Sequence, residues 1–146
     1  VRFVADLPRY AIPVEGGLVV PLHPEPGTLL SRHASLPERQ HPLVVGSPYT
    51  EAERYVIALG AGLTVAAMPP DADLSSQFGR YERTVRPDPA GLLISERLVL
   101  ESPIVSPRDY AAFRGFLRGI ADARRAVVRL TMAPEAPVTP PSGIQP

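Results

Sequence analysis

The sequence predicts a mainly β domain, an antiparallel β-sandwich with one C-terminal α-helix packed against it. Three observations carry that prediction. Nineteen prolines are spread along the 146 residues, and proline breaks long helices because it lacks the amide donor and clashes with the preceding turn. Short apolar runs alternate with Gly- and Pro-rich turn signals, at the spacing of a sandwich or barrel. A clear helical period is present only after Ser106.

The elements follow in chain order. Tyr10–Val14 and Leu18–Leu22 flank Glu15-Gly16-Gly17 and predict a hairpin. His23–Pro37, broken by Pro and Gly, predicts a loop or irregular edge. Pro42–Val45 is a short apolar strand. Tyr55–Leu59 puts Tyr55, Ile57 and Leu59 on one face at period two. Gly60-Ala61-Gly62 turns the chain into a strand at Leu63–Ala67, which Pro69-Pro70-Asp71 ends. The best strand signals are Phe78–Val85 and Leu92–Leu100, with a loop predicted at Arg86–Gly91. The pair Ser75-Ser76 opens the first of these strands. Antiparallel pairing in one register sets Glu82 opposite Arg97 and Arg83 opposite Glu96. Each such facing pair contributes roughly 0.2–1 kcal/mol.

The helix is predicted over 107–123. Ser106 suits the N-cap, Pro107 the first helical position, and Asp109 completes a capping-box-like pattern. Tyr110, Phe113, Phe116, Leu117 and Ile120 then share one face of about 120°. Burying them contributes on the order of 8–15 kcal/mol before entropy is counted, and a helix this short needs a platform in water. Arg124 would return to the apolar side, so the helix is expected to end near Ala123. Ala126–Thr131 predicts a last strand. Residues 1–38 form an N-terminal hairpin and irregular loop, 39–132 the accessory β-sandwich, and 133–146, with five prolines, a linker or tail.

Composition narrows the function. Net charge is zero, so neither nucleic acid nor insertion into a membrane is expected as a mode of action. No apolar run approaches the ~18 residues of a membrane span. The chain has no cysteine, which removes a thiolate zinc site and a Cys nucleophile. Its start at Val1 implies a processed product or an excised piece.

The candidate chemical groups have plainer readings. His23, His33 and His41 lie 10 and 8 residues apart in Pro-rich connections, a spacing that matches no usual set of metal ligands. Gly16-Gly17 is followed by no helix, Lys or Thr, so it reads as a turn rather than a phosphate loop. No Gly-x-Ser-x-Gly elbow is present. Arg114, Arg118 and Arg125 form a basic stripe that reads as a solvated helix flank, with Asp122 placed to neutralise Arg118. Tyr110, Phe113 and Phe116 at helical spacing read as core rather than a ligand groove. No catalytic, cofactor-binding or metal residue is therefore assigned, and no cofactor is expected.

Several segments in order suggest a family. They are Arg39-Gln40-His41-Pro42-Leu43, Tyr55-Val56-Ile57-Ala58-Leu59 before a Gly turn, Met68-Pro69, Phe78-Gly79-Arg80-Tyr81, and a strand carrying Arg97-Leu98. They continue with Ile104-Val105-Ser106-Pro107-Arg108-Asp109-Tyr110, Phe113-Arg114 and Ile120-Ala121-Asp122-Ala123. This stretch, Arg39 to Leu130, resembles the C-terminal β domain, of unknown function, of bacterial transglutaminase-like proteins. It departs from that pattern at Leu59-Gly60, where the family usually has Leu-Pro. The resemblance implies a non-catalytic accessory domain that packs on or positions a separate core. That core would hold the Cys-His-Asp constellation, none of which can be carried over to this chain. It also implies the parent chain's other domains as partners, leaves a homo-oligomer open, and favours an extracytoplasmic location. The alternative function is a stand-alone peptide- or glycan-binding β-sandwich module. A cryptic enzyme would need a pocket of convergent titratable groups, for which the sequence offers no basis.

Overall fold

A computed structural model describes residues 9–132. The strands are β1 (Ile12–Val14), β2 (Gly17–Pro21), β3 (Leu43–Val44), β4 (Tyr49–Ala58), β5 (Leu63–Ala67), β6 (Ala72–Ser76), β7 (Gly79–Asp88), β8 (Gly91–Leu100), β9 (Ile104–Val105) and β10 (Val127–Met132). Two helices, α1 (Thr28–His33) and α2 (Tyr110–Arg124), complete the fold. Every strand pairing is antiparallel, and the architecture is mainly β and sandwich-like, as the sequence predicts.

The main sheet has the order β4-β8-β7-β6, the second sheet β1-β2-β10-β5, and β3 and β9 form a two-stranded ribbon. One face of the main sheet is buried. It presents alternate residues of its long strands, among them Tyr81, Arg83 and Val85 of β7 and Leu92, Ile94, Glu96, Leu98 and Leu100 of β8. Strict alternation is what period-two patterning produces when one face meets the core. Two different partners cover this face. Toward Leu98, Leu100 and Tyr81 lie α1 and α2, which contribute Leu29, Tyr110, Phe113, Leu117 and Ile120 to a first core. Toward Leu92, Ile94 and Val85 lies the second sheet, with Val20, Leu22, Val128 and Leu130.

The predicted register is the one observed, with Glu82 facing Arg97 and Arg83 facing Glu96. The expected ion pairs across it are not formed. Glu82 pairs with Arg80 on its own strand, and Arg83 and Glu96 are both engaged by α2. Gly79 and Gly91, at the two ends of this long hairpin, both have φ +152°. A Cβ would fall 1.9 Å from the Val99 carbonyl oxygen at Gly79, and 2.1 Å from that of Ile57 at Gly91.

Other expectations are corrected. The loop predicted at His23–Pro37 contains α1. Thr28 hydroxyl donates to Glu25 carbonyl at its start, and Leu29 is buried beneath it. The loop predicted at Arg86–Gly91 is mostly strand, since Arg86, Pro87 and Asp88 pair with Leu93, Leu92 and Gly91. β6 covers only Gly79–Arg83 of β7, so the amide side of Pro87 faces no neighbour there, which is where a strand tolerates proline. Ser75 and Ser76 do not open β7. They end β6, a separate strand. Helix α2 begins at Tyr110, after a turn in which the Ser106 hydroxyl accepts from the Asp109 amide and donates to its carboxylate. It ends at Arg124, one residue past the expected end near Ala123. Residues 1–8 and the predicted tail at 133–146 lie outside the described residues.

Candidate functional site

The two cores meet at a layer of charge. On β8 the buried face runs apolar, charged, apolar, with Glu96 between Ile94 and Leu98. The last turn of α2 brings Arg124 over it. Arg124 Nε donates to Glu96 Oε1 at 2.6 Å, and its terminal amine reaches the same oxygen, both side chains being 4% exposed. Arg83, opposite Glu96 in the sheet, donates to the carbonyl of Ala123 and, at 2.7 Å, to that of Pro70. It thereby adds a charged donor to a carbonyl at the negative end of α2, which the Ala126 amide also reaches at 3.2 Å, and a cation is favoured there. The Arg124 guanidinium also lies 5.7 Å from the Tyr81 ring centroid.

Three tyrosines surround this layer. Tyr55 hydroxyl donates to the Leu22 carbonyl, tying β4 to the second sheet. Burial raises the Tyr55 and Tyr81 hydroxyls well above the usual tyrosine range, and the Glu96 charge adds to the effect at Tyr81. The hydroxyls of Tyr49 and Tyr81 and the Nε of Arg83 are buried without a well-formed hydrogen bond among the described residues. Tyr81 lies close enough to Glu96 to feel its charge, but the geometry is not that of a donated bond. Chemically, the layer is a tie between helix and sheet in which Glu96 neutralises Arg124 and backbone carbonyls take up the charge of Arg83. Glu96 is 6% exposed and Arg124 3% exposed, so both charges are engaged with each other and neither faces a cleft.

The residues considered from sequence are dispersed. His23 Nδ1 accepts from the Glu25 amide, His41 is exposed, and His33 sits half-buried at the end of α1. Burial and the neighbouring Arg32 lower its pKa. Among the described residues no group of three or more His, Cys, Asp or Glu is arranged to hold a metal ion. Tyr110, Phe113 and Phe116 are core, and Phe113 meets Phe78 edge-on at 5.3 Å. In the basic stripe, Arg114 donates to the Ala34 carbonyl and Arg118 is exposed. Asp122 pairs with Arg125 at 2.5 Å, not with Arg118 as its spacing suggested. Gly16 is a turn at φ +82°.

The remaining features are surface ones. Val44 and Ile104 face each other across the ribbon and are 72% and 61% exposed. An open groove of about 450 Å³ runs between β6 and α2, lined by Asp73–Ser76, Ala112, Gly115, Phe116 and Gly119. Asp73 is its one titratable lining residue. The groove was not visible from the sequence, because it depends on β6, which the sequence does not separate from β7. No helix among the described residues is long and apolar enough to cross a membrane.

Comparison with known proteins agrees with the fold. No curated protein matches the chain. Among solved structures, it is similar to a chain described as a "putative protease" from Parabacteroides distasonis, with a TM-score of 0.57 and 17% identity. That likeness covers 65% of this chain and 19% of the other, and at such identity it concerns the fold alone. The chain spans about a fifth of that protein's length. Residues 21–130, by contrast, match the pattern of a family described as a domain of unknown function with solved structure, DUF3858. Since that match takes in most of the chain, from the end of β2 into β10, the chain belongs to the DUF3858 family of domains of unknown function.

Proposed function

We propose that this chain is a non-catalytic accessory domain of a larger transglutaminase-like protein, and that it packs on or positions the core domain of that protein. The observation that carries the reading is how the charged interior is used. Among the described residues, Glu96, Arg83 and Arg124 bind one another or backbone carbonyls, and the groove between β6 and α2 brings together no set of titratable side chains. Catalytic sites, in contrast, gather perturbed titratable groups in an accessible cleft. The similarity to about a fifth of a much longer chain supports a role within a larger protein. So does the resemblance in the Ile104–Tyr110 and Ile120–Ala123 segments, which frame α2.

The test has two arms. The purified chain is assayed for amide, ester and glycoside hydrolysis, and the expected result is no turnover. The parent protein is then compared with and without residues 39–132. Deletion is expected to lower the melting temperature or the activity of the remaining core. Turnover by the isolated chain that a single point substitution abolishes would overturn the reading. So would a parent core that is indifferent to the deletion in both stability and activity.

A further inference from the structure

We infer that the edge of β6 that no described strand pairs with joins the same edge of a second copy, linking the two main sheets in an antiparallel, two-fold dimer. A sheet edge presents unpaired amides and carbonyls, and monomeric proteins guard such edges with proline, irregular register or inward-facing charge. The outer strands of the two four-stranded sheets are β1 and β5 in one, and β4 and β6 in the other. β1 contains Pro13. β5 pairs with β10 through a register shift. β4 carries Glu51 and Glu53 on its inward side, in the rows of Leu98 and Glu96.

Self-pairing through the middle of β4 is also opposed by its charges. A continuous sheet keeps inward residues opposite inward residues. Centred on Glu53 or on Arg54, β4 would oppose that residue to itself, and centred on Ala52 it would oppose Glu51 to Glu53.

β6 has none of these devices. Its inward residues are Ala72, Leu74 and Ser76, and its one charge, Asp73, is held by Arg80 at 3.0 Å on the outer face. Centred on Leu74, two copies would set Leu74 against Leu74, Asp73 against Ser75 and Ala72 against Ser76. No like charges meet, and an apolar contact falls on the axis. The isologous arrangement is the one two-fold symmetry requires.

Room for the second copy is already present. The groove of about 450 Å³ lies along this edge, and α2 lines it with Ala112, Gly115, Phe116 and Gly119. A Cβ on Gly115 would meet nothing within 4 Å, so no described residue fills the space beside the helix.

The test measures self-association of the 146-residue chain by sedimentation equilibrium, from low-micromolar to submillimolar concentration. The chain is expected to dimerise reversibly. Gly115→Gln fills the groove and improves helix propensity. It should raise the dissociation constant by at least ~tenfold without lowering the melting temperature of the dilute chain. Ser75→Asp, which would face Asp73 of the second copy, should also weaken the dimer. Thr50→Asp on the guarded β4 edge should leave it unchanged. A chain that is monomeric throughout overturns the proposal. So does a dimer indifferent to Gly115→Gln and Ser75→Asp, or one that Thr50→Asp disrupts.

Discussion

Arg124 shows how a single residue can be read correctly and interpreted wrongly. Its position on the apolar side of α2 is plain from helical spacing, and a charge there argues for ending the helix. The helix does end there, with Arg124 as its last residue, but the charge is buried against Glu96, 28 residues earlier in the chain. Arg is almost never fully buried without a partner, and pattern along one element cannot reveal a partner on another. Glu96→Leu would leave Arg124 and Arg83 buried beside each other, and should cost about 3–5 kcal/mol in urea unfolding. Glu96→Leu/Arg124→Met should recover most of that loss, because an apolar pair of similar size removes the stranded charge. A double variant as unstable as the single one would show that packing, not charge, sets the cost. His33 offers a second test. Its pKa is lowered in the folded chain, chiefly by burial and also by Arg32, so the unfolded state binds more protons near the unfolded pKa of about 6.5. Stability from neutral His33 is therefore fully present above that pH and is lost as pH falls below it. His33→Gln should flatten the decline in melting temperature between about pH 7 and pH 5. An unchanged slope would remove His33 as its source.

At the scale of elements, legibility followed the strength of local signals. The β7–β8 hairpin and its register could be read because two long alternating runs carry charges that fit one alignment. Helix α2 could be read because Phe113, Phe116 and Ile120 fix its face, although its N-cap is Asp109 rather than Ser106 and it starts at Tyr110 rather than Pro107. β6 and α1 could not. β6 is five residues long and lies two residues from β7, so its pattern merges with that of its neighbour. α1 is six residues long, and it sits among prolines that read as loop. Its stability comes from burying Leu29 against α2, a tertiary effect. The layer of Glu96, Arg83 and Arg124 was half legible. The facing of Arg83 and Glu96 is plain from the sequence, whereas their actual partners come from α2 and, for Arg83, also from the Pro70 carbonyl. The helix also gives the cleanest mutational contrast. Phe113 is fully buried against Phe78, so Phe113→Ala should cost about 3–5 kcal/mol. Arg118 is exposed and has no ion pair among the described residues, so Arg118→Ala should change stability by less than ~0.5 kcal/mol. Chemical denaturation of both variants measures this. Equal, small effects would mean that α2 is only loosely held on the sheet.

For the whole molecule, the question is whether two cores make one cooperative unit or two. The cores have different partners, helices in one and a second sheet in the other. Three long strands run through both. β7 gives Tyr81 to the first core and Val85 to the second, β8 gives Leu98 and Leu100 to the first and Leu92 and Ile94 to the second, and β4 gives Tyr49 and Tyr55 respectively. The charged layer between them also favours unity. Opening α2 alone would strip Glu96 of Arg124 and leave Arg83 without the Ala123 carbonyl, so the second core cannot keep its sheet intact while the first is lost. The second sheet is held in turn by the Tyr55–Leu22 hydrogen bond and by burial of Leu130, which is 3% exposed. Leu130→Ala should therefore cost about 2–5 kcal/mol and lower one shared transition, even though Leu130 lies in the core that α2 does not cover. Amide hydrogen exchange checks this directly, because exchange resolves local from global opening. In Leu130→Ala, the slowest amides of α2 and of β10 should lose protection together and by the same factor. If β2 and β10 exchanged early while α2 kept its original protection, the long strands would not transmit the loss. The domain would then consist of a helix-covered half and a sheet-covered half that unfold separately.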